Sequence, residues 1–184
     1  MSALYRQCLL LVFAGIALAS CRNPLKEHLN NKGIQNRFSP MLGSVGDFDN
    51  PRESRHKLFS LYDELRLAFA NDDFSAIKPV TVSITAQLEL LRKTDRSNAG
   101  ELAAINQSLP GFEVVDTEAK RQAFGFFSEA VVALHKKTKG VEMDLYHCPM
   151  AKGYGYWLQP KGTTLSNPYM GLRMQKCGSL VEQN

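Results

Sequence analysis

The sequence predicts an all-α domain, an antiparallel four-helix bundle closed by an irregular C-terminal cap rich in cysteine and methionine. Three observations predict it. Apolar residues recur at three- and four-residue spacing over four stretches between 52 and 140, and that spacing lines one face of a helix. The stretches are joined by short polar or Pro/Gly-containing connections, which favour antiparallel neighbours. After Gly140 the periodicity stops, and two of the four cysteines, three of the six methionines and the only tryptophan fall between Tyr146 and Gly178.

At 184 residues the chain suits one domain with tethers and is long enough to bury a real core. Charged residues at 22% and hydrophobic residues at 44% are ordinary for a globular protein. The formal charge of +4 is mild and its lysines and arginines are scattered. Nucleic-acid binding shows a denser basic stripe, so no nucleic-acid partner is expected.

The first twenty residues, 1–20, read as an export signal. Arg6 supplies a positive start and Leu9 to Ala17 an apolar run too short to span a bilayer comfortably. Leu18-Ala19-Ser20-Cys21 resembles a bacterial lipobox, in which Cys21 is lipidated and becomes the mature N-terminus. Conventional cleavage after Ala19 also fits the small residues there. Either way the mature chain leaves a bacterial cytoplasm. The lipobox places it in the cell envelope, held to the lipid membrane through acylated Cys21 and facing the periplasm. Cys8 is removed with the signal, which leaves Cys148 and Cys177 as thiols in a compartment that permits disulfides. Residues 21–51 are punctuated by Pro24, Gly33, Pro40, Gly43, Gly46 and Pro51 and read as a flexible tether. Residues 52–184 form the helical domain.

In the first helix Leu58, Leu61, Tyr62, Leu65 and Phe69 share a face. Asn71-Asp72-Asp73 interrupts the pattern. Ile77, Val80, Ile84, Leu88 and Leu91 continue it in a second helix, kinked or begun late because Pro79 is awkward inside a helix. Val80, Val82 and Ile84 also alternate as a strand would. Leu102, Ile105 and Leu109 suit a short third helix stopped by Pro110-Gly111. Asp116 is the expected N-cap of the fourth, whose stripe runs Ala119, Ala123, Phe124, Phe127, Ala130, Val131 and Leu134. Lys136, Lys137 and Lys139 then fill its final turn and Gly140 stops it. His56 and His135 each sit beside lysine or arginine and read as solvated histidines.

Beyond Gly140, Val141, Met143 and Leu145 alternate with polar residues, so a short extended segment leads to His147 and Cys148. Gly153, Gly155, Pro160 and Gly162 indicate a loop around Tyr154, Tyr156 and Trp157. Asn167-Pro168 reads as a helix start and Gly178 as its stop, which sets Met170, Met174 and Cys177 on one helical face. If that face meets Cys148-Pro149-Met150, two thiolates and up to three thioethers converge. Such donors select monovalent copper, and by extension silver. His147 could add an imidazole. Zinc would take more Cys or His and no thioether. The alternative is a Cys148–Cys177 disulfide pinning the C-terminal segment, with the methionines as core filler. A nucleophilic Cys148 would need a base placed in space and a third group to orient it. Nothing marks either, so no enzyme is expected.

His-Cys-Pro-Met-Ala at 147–151, Gly-Tyr-Trp-Leu at 155–158 and Asn-Pro-Tyr-Met-Gly at 167–171, with Met174 and Cys177-Gly178, resemble the bacterial domain-of-unknown-function family 3347. Leu61 to Asp73 and Arg121 to Leu134 are similar to its first and last helices. The resemblance spans about Arg52 to Glu182. It implies a periplasmic helical domain found alone, here as a lipoprotein, or attached to adaptor subunits of copper and silver efflux systems, with no enzymatic activity. Cys148, Met150, Met174 and Cys177 match the positions that would hold the metal, and Met170 stands where a tyrosine or phenylalanine is expected. The function expected from residues and resemblance together is soft-metal binding as an accessory to metal efflux or homeostasis, with an efflux adaptor as partner. The alternative is a disulfide-stapled helical protein-interaction module that takes no metal.

Overall fold

The computed structural model describes residues 50–138 and 140–182. The export signal, Cys21 and most of the tether lie outside them. Helix α1, Pro51–Ala70, starts under an Asn50 cap whose side chain accepts the Arg52 N–H at 3.0 Å, with Pro51 at the first position. It buries Leu58, Leu61, Tyr62, Leu65 and Phe69. Helix α2 covers Ile77–Thr94. Pro79 falls in its first turn, where a missing N–H forfeits no helical bond, so no kink is required. The strand-like alternation there is not used. Ile84, Leu88 and Leu91 are buried, while Val82 is 62% exposed.

Helix α3, Ala99–Ser108, runs into a 3₁₀ turn at Leu109–Glu113 that contains the expected Pro110-Gly111 stop. Helix α4 covers Thr117–Thr138, and the Asp116 side chain accepts the Ala119 N–H at 2.7 Å. Helices α1 and α2 pack together, as do α3 and α4. Aromatic rings fill the space between α1 and α4. Tyr62 lies 5.9 Å from both Phe124 and Phe127, and Phe69 lies 5.0 Å from Phe124. No described helix is long and apolar enough to cross a membrane.

The C-terminal segment is not an irregular cap on an all-α domain. It forms a three-stranded antiparallel sheet in the order β2-β1-β3, with β1 at Met143–His147, β2 at Tyr156–Pro160 and β3 at Ser179–Leu180. The extended segment expected before His147 is β1. The stretch read as loop around Trp157 is its partner, paired Tyr146 to Trp157 and Leu145 to Leu158. The glycines that argued for loop flank the strand instead. Gly153 at φ +81 and Gly162 at φ +76 lie in the turns at its two ends.

The outer edge of β2 would leave polar backbone groups without strand partners, and helix side chains supply them. The Leu158 N–H donates to the Tyr62 hydroxyl at 3.0 Å. Ser128 donates its hydroxyl to the Tyr156 carbonyl at 2.8 Å, so Tyr62 donates to Ser128 at 2.7 Å. Tyr169 donates to the same carbonyl at 2.6 Å. Burial pushes Tyr62 up from 10.0 to about 12. A phenol with a raised folded pKa stabilises the fold below its unfolded value and loses that contribution as pH rises through the folded one. Between pH 10 and about 12 the wild type should therefore lose roughly 3 kcal/mol of stability through Tyr62 alone. Tyr62→Phe should flatten that loss in a denaturant series at alkaline pH. An unchanged slope would show that Tyr62 does not couple folding to pH.

His135 is not solvated as expected. It is 7% exposed, its Nε2 donates to the Val141 carbonyl at 2.8 Å and its ring meets Phe59 edge-on at 5.6 Å. The last turn of α4 packs under the chain's reversal into β1, which the flanking lysines concealed. His56 is exposed, as expected.

Candidate dithiol site

Cys148 follows β1 and has no solvent exposure. Its N–H donates to the Gly155 carbonyl at 2.9 Å, and the Ala151 N–H donates back to the Cys148 carbonyl at 3.3 Å. Residues 149–155 therefore form a loop that returns to Cys148. A Cβ at Gly155 would stand 2.8 Å from the Cys148 carbonyl, so the closure requires glycine there. Tyr154 anchors this loop to α4. It crosses Gly125, where a Cβ would come within 2.5 Å of the Tyr154 Cβ, and its hydroxyl donates to Glu118 at 2.5 Å. Burial, then the Glu118 hydrogen bond, pushes Tyr154 up to about 12. Trp157 is fully buried and its ring lies 5.9 Å from that of Tyr169.

Cys177 arrives on a different structure from the one expected. Residues 167–178 do not form an α-helix, only a 3₁₀ turn at Gly171–Met174. Asn167 does cap, accepting the Tyr169 N–H at 2.7 Å and the Met170 N–H at 3.3 Å. Gly171 then turns left-handed at φ +58, against Asp72 and Arg121, and an α-helix cannot pass through that residue. Asn167 also closes the loop. Its N–H donates to the Gln175 carbonyl at 2.8 Å and its side-chain amide to the Cys177 carbonyl. Met170, Met174 and Cys177 consequently do not share a helical face.

The backbone nonetheless brings the two cysteines to the same end of the sheet. Strand β3 pairs Ser179 with His147, so Gly178 lies level with Cys148 one step further along. Gly178, at φ +148, lets the chain pass over Trp157, whose Cη2 would be 2.5 Å from an added Cβ. Cys177 is half-buried, and both cysteines are free thiols. Burial, then the neighbouring Cys148, pushes the Cys177 thiol up. The remaining candidate ligands divide. Met150 is 58% exposed in the turn that follows Cys148, and Met174 is 42% exposed in the turn whose carbonyl accepts the Cys177 N–H at 3.0 Å. Met170 is partly buried against the core. His147 sets its ring 4.5 Å from Tyr156.

Among the described residues no three His, Cys, Asp or Glu side chains converge. The usual four-ligand zinc site would find two of its donors here. The donor set fits a soft ion better, two thiols with thioethers on the adjoining turns. Sequence reasoning missed Tyr154, Gly125 and Glu118, which hold the loop over Cys148, and the closing role of Asn167. Tyr154 and Glu118 stand 36 positions apart in the chain. No protein-family model, curated protein or solved structure matches the chain.

Proposed function

We propose that the chain is an envelope lipoprotein whose Cys148–Cys177 pair binds monovalent copper or silver, as an accessory to metal efflux or homeostasis. The observation that carries this reading is the exposure of Met150 and Met174. Methionines that merely fill a core around a disulfide would be buried, and these two stand in solvent on the turns that carry the two thiols. The ion would be held by Cys148 and Cys177, with Met150 and Met174 as neutral donors. Met170 and His147 are better explained by core contact and by Tyr156. The acylated Cys21, the four helices read as an antiparallel bundle, the likeness to family 3347 and an efflux adaptor as partner belong to the same proposal.

Binding requires each thiol to lose a proton, whereas thioethers bind without one. Affinity should therefore fall as pH falls, and the raised Cys177 thiol carries that dependence to higher pH. In a competition titration with a monovalent-copper chelator, Cys148→Ser should weaken binding by more than about 100-fold, beyond the range of outer-shell changes. Met150→Leu should weaken it by less than about tenfold, since a neutral donor is lost rather than an anionic one. The pairing of the thiols also favours the second reading, a Cys148–Cys177 disulfide staple. A fully reduced protein that takes up no copper, with no free thiols in protein drawn from the envelope, would establish that reading instead.

A further inference from the structure

The two thiols differ in access. Cys148 is wholly covered, whereas Cys177 is half-buried and follows an exposed turn containing Met174 and Lys176. The loop at 149–155 returns to Cys148 through two backbone hydrogen bonds, and Tyr154 in it ties the loop to α4 by its hydrogen bond to Glu118. Glu118 lies in the first turn of α4, so the latch joins the loop to the helix end nearest it in the fold. We propose that the pair loads in order. Cys177 takes the soft ion first, from a carrier that presents it on sulfur donors, and Cys148 closes on it only when the Tyr154–Glu118 latch lets the loop move.

In the first step a sulfur–metal bond to the carrier breaks and one to Cys177 forms, and the proton leaving Cys177 passes through water to the carrier's released sulfur. In the second step Cys148 gives its proton to water and binds the same ion. The carrier's last sulfur then departs. Thiolate exchange at a soft ion proceeds through the accessible donor, and access differs here by burial rather than by residue type. This ordering rests on the metal reading, but the unequal access of the thiols does not.

Two measurements on the full chain, reduced and metal-free, test it. In iodoacetamide labelling followed by peptide mass analysis, Cys177 should react more than about tenfold faster than Cys148. Glu118→Ala and Tyr154→Phe should each raise the Cys148 rate several-fold and leave the Cys177 rate unchanged. In stopped-flow transfer from a copper(I)–glutathione complex, wild type should show two phases. Cys148→Ser should retain the fast phase and lose the slow one, Cys177→Ser should lose the fast phase, and Glu118→Ala should accelerate the slow phase. Equal labelling of the two thiols, or a fast phase that survives Cys177→Ser, overturns the ordering while leaving copper binding intact. Absence of transfer to the wild type overturns ordering and metal reading together.

Discussion

Phe127→Ala should lower the free energy of unfolding by ~3–5 kcal/mol, the range for emptying a fully packed phenylalanine site. Phe127 has no exposure and meets Tyr62, Phe112 and Phe124 at ring separations of 5.9, 5.5 and 6.3 Å. Those neighbours belong to α1, to the 3₁₀ turn after α3 and to α4 itself, so no one of them can relax into the void without disturbing another element. The size of the loss reports that rigidity. A thermal or urea unfolding series on the purified protein gives the value. A cost under about 1 kcal/mol would mean the site collapses freely and the ring cluster is not the centre of the core. Circular dichroism of the variant should remain mainly helical, since α1 and α4 keep their other apolar contacts.

The four helices were legible because each carries its own apolar stripe, and a local period needs no knowledge of partners. Pro79 and the strand-like alternation of Val80, Val82 and Ile84 were the discords, and both dissolve in a helix that starts two residues before Pro79 and leaves Val82 exposed. The sheet was less legible. Strand β1 shows the alternation of Met143 and Leu145, but Trp157, Leu158 and Gln159 on β2 are all buried because both faces are covered, so no alternation survives in the sequence. Gln159 is the clearest case. It is polar yet has no exposure, and its amide donates to Thr163 and Thr164 while its carbonyl accepts the Ser166 N–H at 3.0 Å. Such a residue looks like surface until its partners are known.

The candidate site was legible in its two thiols and misleading in its helix. Asn167-Pro168 is a sound capping signal, and the structure uses the cap. What stops the helix is Gly171, and its left-handed turn is set by Asp72 and Arg121, which come from α1's end and from α4. A sequence window around 171 contains neither. The same reasoning explains Met170, which would share a face with Met174 on a helix and instead turns to the core.

Asp72→Asn should destabilise the protein by roughly 3 kcal/mol, the low end of the cost of leaving a buried charge unpaired. Arg121 is 7% exposed. It donates to the Phe69 carbonyl at 3.1 Å, to the Pro168 carbonyl and to the Asp72 carboxylate, and its guanidinium lies 5.4 Å from the Phe74 ring centroid. Among the described residues Asp72 is its one ion-pair partner, and it accepts the Leu172 N–H at 3.0 Å. Asparagine keeps the left-handed backbone that Asp72 adopts at φ +56, and it keeps an acceptor for Leu172, so the substitution removes charge with little else. Asp72 is itself 37% exposed, so the opposite change, Arg121→Met, strands a carboxylate that water can reach. That variant should cost less for the ion pair, with the remaining loss of about 1–3 kcal/mol coming from the two carbonyls left without a donor. The order of the two variants is the test. Comparable unfolding free energies, or a larger loss in Arg121→Met, would show that hydrogen bonds rather than charge hold this clasp. Because Pro168 and Leu172 belong to the loop that presents Cys177, Asp72→Asn should also quicken iodoacetamide labelling of Cys177 well below the melting temperature, while Cys148, held by the separate Tyr154 latch, should label as slowly as in the wild type.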